Sequence, residues 1–337
     1  MAFNIEILDD ANNIDLITIY DGNSEIKFTN FGMRIVDWKV DGRSIVLGPN
    51  ENDDLVQYYE ENPYFFGATI GRYGGRIENG TFELNGQNYK LEQNDAKHNL
   101  HGGSNGLHSR VFDYEIINED KIVTVIYTAD MKSEDDYFPG NIQIRVTHRY
   151  DLIQMMWSIH YEATSTEDTL FNPMNHVYFN LNKTNQTIEN HRIHNEIEFY
   201  PLKENQIVKS LDTVNINEEI GKEILTFRDV FESGLSQIKQ FNGIDHPVKL
   251  GDESFTVSND ELEIEMKTDQ DHVVIFTLND VDWNDHDHTI QEHGGFTLET
   301  QSIPDDIHLL GDSAPSILRN GKTFSSETSY QIKTKDK

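Results

Sequence analysis

Asn141-Ile142-Gln143-Ile144-Arg145-Val146-Thr147-His148-Arg149-Tyr150 sets the apolar Ile142, Ile144 and Val146 against the polar Gln143, Arg145 and Thr147. Side chains alternate between the two faces of a strand, so a period of two describes a strand with one buried face. Met155, Trp157, Ile159 and Tyr161 repeat that parity on the next run, and upstream Val111–Asn118 and Lys121–Thr128 read as an antiparallel pair. Asp41-Gly42 joins Met33–Val40 to Ser44–Leu47, Asn85-Gly86 joins Thr81–Leu84 to Gln87–Leu91, and Asn320-Gly321 is a third such dipeptide. These pairs favour two-residue hairpin turns. Only Glu218–Leu225 and Thr226–Leu235 carry the pattern of short helices. The expectation is an all-β protein, a sandwich of large antiparallel sheets with few short helices.

The 337 residues hold 27 Lys+Arg against 59 Asp+Glu, a net charge of −32. Phosphate backbones are held by clustered basic residues, so this balance argues against nucleic acid as a partner. An apolar share of 36%, with aromatic residues spread along the chain, supplies a sizeable core and separates the protein from a disordered acidic tail. Zero Cys removes disulfides, zinc ribbons, iron–sulfur sites and thiol nucleophiles together. Residues Met1 to Ile26 contain no Lys or Arg and carry Glu6, Asp9, Asp10 and Asp15, unlike the basic start of a secretory signal. No apolar run approaches the roughly 18 residues of a membrane span. A cytoplasmic protein without a membrane partner is therefore expected, in which the sequons at Asn182 and Asn185 stay unmodified. No linker, low-complexity block or fixed-period repeat divides the chain, so residues 1–337 read as one domain. The charge leans toward a monomer or weak homodimer.

Several segments carry chemistry-bearing residues. Gly321-Lys322-Thr323 offers the end of a phosphate loop, but the glycine that motif requires falls at Ser316, which leaves a hairpin turn. Gly71-Arg72-Tyr73-Gly74-Gly75-Arg76 lacks the spacing of a dinucleotide fingerprint; it reads either as a backbone that a ligand approaches closely or as a tight turn with two surface arginines. Asp285-His286-Asp287-His288 with His293 has the donor types of a transition-metal site, yet alternating Asp and His in a polar loop is more often solvated, so no metal is expected there. His98-Asn99-Leu100-His101-Gly102-Gly103 places imidazoles beside glycines. Asn175-His176-Val177-Tyr178-Phe179-Asn180 holds a His that reads as a hydrogen-bonded core residue or as a functional one. Thr297-Leu298-Glu299-Thr300-Gln301 isolates one acid among apolar and neutral residues, where a buried Glu rarely sits without purpose. Gly243-Ile244-Asp245-His246-Pro247 sets an acid beside a base in a turn.

In order along the chain, these segments resemble the aldose 1-epimerase family, the galactose mutarotases. The carrying motifs are Gly71-Arg72-Tyr73-Gly74-Gly75-Arg76-Ile77, Leu100-His101-Gly102-Gly103, Pro139-Gly140-Asn141, Asn175 to Leu181, Gly243-Ile244-Asp245-His246, and Leu298-Glu299-Thr300-Gln301 with Pro304-Asp305. The resemblance runs from about Ile26 to Tyr330 and implies a β-supersandwich. It also implies a cofactor-free isomerase acting on a free aldose such as D-galactose or D-glucose. By position it makes His176 the general acid and Glu299 the general base, with Arg76, His101 and Asp245 binding sugar. Tyr178 is an aromatic wall, and Arg72 joins this set. Three departures bear on sugar preference: Gly74-Gly75 where many relatives have Ala-Asn, Val274 where many have Gln, and Val177 in place of a small polar residue.

Mutarotation needs one base at the C1 hydroxyl and one acid at the ring oxygen, with no metal, nucleotide or covalent intermediate. Burial is expected to raise the Glu299 carboxyl, and neighbouring carboxylates with the excess negative charge to raise His176. Three rival readings remain: a glycoside hydrolase using Glu299 and Asp245, a hexose-6-phosphate mutarotase-like enzyme, and a non-catalytic carbohydrate-binding module. The charge of −32 and the lack of an arginine cluster weigh against the dianionic substrate.

Overall fold

The computed structural model describes residues 3–182, 186–281, 283 and 290–335. The alternating stretch forms the strand Ile142–Asp151, in which Ile142, Ile144, Val146, His148 and Tyr150 are buried. It pairs with Ile122–Met131 on one side and Met156–Ser165 on the other, as the third strand of a nine-stranded sheet. Thr323–Thr334, Leu262–Thr268 and Phe255–Ser258 continue that sheet toward two short edge strands, and every neighbour is antiparallel. A second, five-stranded sheet is the N-terminal meander Phe3–Asp9, Ile14–Tyr20, Ser24–Thr29, Arg34–Val40 and Arg43–Ser44. A third has the order Val214–Asn215, Glu198–Phe199, Asp245–Lys249, His272–Phe276, Glu299–Thr300.

One apolar cluster joins all three sheets, with Phe28 and Trp38 from the meander, Trp157, Ile159 and Tyr330 from the large sheet, and Phe199, Val248, Val273 and Ile275 from the third. Its aromatic centre is ordered by contact geometry. Trp38 meets Trp157 edge-on at 6.3 Å, Trp157 stacks on Tyr330 at 5.1 Å, and the Trp38 indole donates to the Tyr150 hydroxyl at 3.1 Å. Buried Trp needs such a partner for its N–H.

The two hairpins at Asp41-Gly42 and Asn85-Gly86 form as their dipeptides predict. Asn320-Gly321 turns the chain without making a hairpin: Ile317–Leu318 pairs with Thr169–Leu170, while Thr323–Thr334 crosses to the large sheet. Helices are short. Ile216–Ile220 starts where Asn215 accepts the N–H groups of Asn217 and Glu218, and stops at Gly221 with φ 77°. Phe227–Phe231 carries the Thr226/Asp229 capping box. Leu225–Thr226, expected inside the helical patterns, is instead an edge strand beside Arg192–Ile193. Leu55–Glu61, Ser236–Gln240 and Asp306–Leu310 are further one- to two-turn helices that the apolar periodicity did not announce. No helix among the described residues is long and apolar enough to cross a membrane.

Candidate active site

The third sheet is the floor of a cleft of about 200 Å3. Register decides which side chains face it. Val274 pairs with Glu299 and Pro247, and Phe276 pairs with Asp245. Residues two apart share a face, so Asp245, Pro247, Val274, Phe276, Glu299 and Gln301 line the cleft. The alternate residues Val248, Val273, Ile275 and Leu298 enter the core. The strand Tyr178–Phe179 follows the same rule, with His176 and Tyr178 in the cleft and Val177 and Phe179 in the core. His176 is held by its backbone, which donates to the Ala68 carbonyl at 2.8 Å and accepts from the Gly67 N–H at 3.0 Å.

All six residues named from the sequence, Glu299, His176, Arg76, His101, Asp245 and Tyr178, line this one cleft. Nε2 of His176 lies 3.4 Å from Oε1 of Glu299, and both residues are about 95% shielded, with 5% and 3% of their surface exposed. Burial, disfavouring charge on either group, raises the Glu299 carboxyl to about 8 and pushes the His176 imidazole down to about 3. The expected elevation of His176 is thus overturned, because desolvation is its largest influence. Desolvation likewise raises the half-buried Asp245 to about 6, against the pull of Arg76. The Tyr178 hydroxyl is driven well above its ordinary value by burial and then by the charges of Glu299 and Asp245.

His101 is neutral, held well below the ordinary imidazole value by burial and by its neighbours His176 and Arg76. Its Nδ1 accepts the Gly75 N–H at 3.1 Å, which puts the ring proton on Nε2 and makes that nitrogen a donor. Arg76 spends its Nε on Asp95 at 2.6 Å. It is the one Lys or Arg among the described residues lining the cleft.

Arg72 does not join the site. It is fully buried, bidentate to Asp136 at 2.8 and 3.0 Å, and donates to the Pro139 and Gly140 carbonyls. His246 also faces away, packed on Phe199 at 4.6 Å between ring centroids. His98 is spent on the Asn79 N–H and on Asn205. The Asp285–His288 segment lies outside the described residues, as does Asn185; His293 stacks on Phe231 at 4.1 Å. Among the described residues no group of three or more His, Cys, Asp or Glu is placed to hold a metal.

Of the three departures, Val177 has no contact with the cleft, since it lies in the core with 1% exposure. Val274 lies on the floor beside Glu299. Gly74 and Gly75 are required by their neighbours: a Cβ on Gly74 would sit 2.6 Å from Oε1 of Gln301, and one on Gly75 2.6 Å from Cβ of Pro304. The sequence reading assigned nothing to Phe65, whose ring meets His101 at 4.7 Å and His176 at 5.9 Å. It also gave no role to Gln301 or Thr297, both bonded to Glu299. Strand parity from Glu299 was the signal for those two.

Large antiparallel sheets sharing one apolar core, with a cleft on the open face of the third, are the architecture of the galactose mutarotase-like β-supersandwich. A galactose 1-epimerase structure from Lactobacillus acidophilus NCFM superposes with a TM-score of 0.86 over 99% of both chains at 24% identity. The sequence profile of the aldose 1-epimerase family matches residues 15–331, and the chain belongs to that family. It is 28% identical to an aldose 1-epimerase of Haemophilus influenzae over 310 residues, covering 86% of this chain and 87% of that one. The bifunctional protein GAL10 of Kluyveromyces lactis is 30% identical over 338 residues, covering 92% of this chain and 46% of that longer protein. The chain thus spans about half of the latter.

Proposed function

We propose that the protein interconverts the α and β anomers of free aldohexoses such as D-galactose and D-glucose. The observation that carries this reading is the Glu299–His176 pair, an acid and a base 3.4 Å apart and buried in a cleft otherwise lined by sugar-compatible donors, acceptors and aromatic faces. Glu299 takes the proton of the C1 hydroxyl while His176 Nε2 gives one to the ring oxygen. The bond between C1 and the ring oxygen breaks, its electron pair passes to that oxygen, and C1 becomes an aldehyde. Rotation about C1–C2 exposes the other face, and closure with the roles exchanged gives the other anomer. Nε2–H of His101 donates to a sugar hydroxyl, Arg76 adds a second donor, Asp245 accepts, and Tyr178 covers an apolar face.

The pair works as a unit holding one proton. Burial favours that proton on Glu299, whereas contact at 3.4 Å favours the carboxylate–imidazolium form that opens the ring. The kcat/KM profile is then a bell. Its lower limb is uptake of a second proton at the depressed His176 value, about 3, and its upper limb is loss of the shared proton near the raised Glu299 value, about 8.

A phosphorylated substrate is disfavoured because Arg76 is tied to Asp95 and the nearby Lys203 to Glu78 at 2.9 Å. The test is polarimetry of freshly dissolved α-D-galactose and α-D-glucose with wild type and Glu299→Gln at neutral pH. Acceleration by wild type and its loss in the variant are expected, and the ratio of rates gives the sugar preference. A folded wild type that binds sugar without acceleration would make it a binding module.

A further inference from the structure

We infer that Thr297, Gln301 and Asn172 are positioning residues: two hydrogen-bond chains, each anchored at a backbone N–H, that present a donor to each oxygen of Glu299 and so favour its carboxylate form. The inference rests on Glu299 as the base of the proposed reaction.

The first chain starts at the Phe276 N–H, which donates to Thr297 Oγ1 at 3.0 Å. An amide N–H only donates, so Oγ1 accepts there, and the hydroxyl proton is left for Oε1 of Glu299 at 2.9 Å. The second starts at the Ser302 N–H, which donates to Oδ1 of Asn172 at 2.9 Å. That fixes the Asn172 amide, whose Nδ2 donates to the Ser302 carbonyl at 3.1 Å and to Oε1 of Gln301 at 3.3 Å. Gln301 is then oriented with Nε2 toward Oε2 of Glu299, at 3.3 Å. The amides are thus assigned by main-chain groups that have no second orientation. Gly74 completes the second chain, because a Cβ there would occupy the space 2.6 Å from Oε1 of Gln301.

A carboxylate satisfies both donors, whereas a protonated carboxyl must turn its O–H against one of them or toward His176. The proton that Glu299 takes from the sugar is therefore held weakly, pointed toward His176 at 3.4 Å, and is readily returned to the sugar when the ring closes. The other ionisable groups facing Glu299 are Asp245 and Arg76 in the cleft, and the Tyr178 and Tyr330 hydroxyls, none of which belongs to either chain.

The test is Thr297→Val and Gln301→Met, each removing one donor without adding charge, with Thr297→Ser as the conservative control. Two readouts are taken: the pH profile of kcat/KM, and an infrared titration of the Glu299 carboxyl, identified by its absence in Glu299→Gln. Each lost donor to a charged group is expected to lower neutral-pH activity by about tenfold. The Glu299 titration and the alkaline limb are expected to rise by about one pH unit. Activity should converge with wild type above that limb, where the carboxylate forms regardless, and Thr297→Ser should restore wild-type behaviour. An unmoved Glu299 titration in the folded variants, or a loss equal at every pH, would overturn the inference. A titration that moves as expected in a protein that never accelerates mutarotation supports the chains while refuting the proposed function, so the two fail separately.

Discussion

At the scale of single residues, the proposed reaction divides the roles by what each group can exchange with a sugar. His176→Asn keeps a polar group of similar reach but removes the titrating nitrogen. It is expected to lower kcat by about 100- to 10,000-fold, the usual range for a general acid, with little change in KM. Asp245→Asn leaves an acceptor and adds a donor, so its expected effect is a raised KM with kcat largely kept, read from initial rates across sugar concentrations. A His176→Asn variant with full kcat would remove His176 from the chemistry. Both substitutions take away a group whose charge burial already resists, so neither leaves a naked buried charge behind. Two polar groups in or behind the cleft have their direction fixed by backbone: His101 by the Gly75 N–H, Thr297 by the Phe276 N–H. Such groups need no reorganisation when charge develops, which is the basis of electrostatic stabilisation.

At the scale of elements, the glycine-rich segment does two jobs with its two arginines. Arg76 reaches the cleft. Arg72 instead clamps the turn after Ser133–Asp136, with no exposed surface on either partner of its ion pair with Asp136. Arg72→Met strands a buried carboxylate and is expected to cost about 3–5 kcal/mol in urea unfolding. Adding Asp136→Leu should recover most of that loss. A single variant as stable as wild type would show that the clamp is not structural. Spacing left both arginines either near a ligand or on the surface, and only the family resemblance added Arg72 to the binding set, because spacing alone cannot tell a cation facing a cleft from one facing a carboxylate 64 residues away. What was legible is what local periodicity encodes: Ile142–Asp151 and its neighbours, and the hairpins at Gly42 and Gly86. Of the short helices, those at Ile216–Ile220 and Phe227–Phe231 were read with longer bounds than their caps allow, whereas Leu55–Glu61, Ser236–Gln240 and Asp306–Leu310 escaped because one or two turns are too few to display a period of 3.6. Gly321 escaped for a different reason: its turn is local, but the partners of the strands it joins lie far away in sequence.

At the scale of the whole molecule, a net charge of −32 surrounds a buried pair that holds one proton in the proposed reaction. A negative potential stabilises every proton-bound state, so it raises both apparent pKa values of the pair: the uptake of the second proton and the loss of the first. Salt screens exposed charges, with a range of about 8 Å at physiological strength and about 3 Å at 1 M. Raising the salt should therefore move both limbs of the kcat/KM bell to lower pH together. The height of the plateau separates this from a salt effect on association. A neutral aldose feels no net force from the surface charge, so the plateau should stay level while the limbs move. A sugar phosphate would be repelled by the same surface, and its plateau should climb as salt screens the repulsion. Limbs fixed in place from about 0.05 M to about 1 M salt would show that the pair is insulated from the surface field. A climbing plateau would return the anionic substrate to the choice, against the pairing of Arg76 with Asp95 and of Lys203 with Glu78.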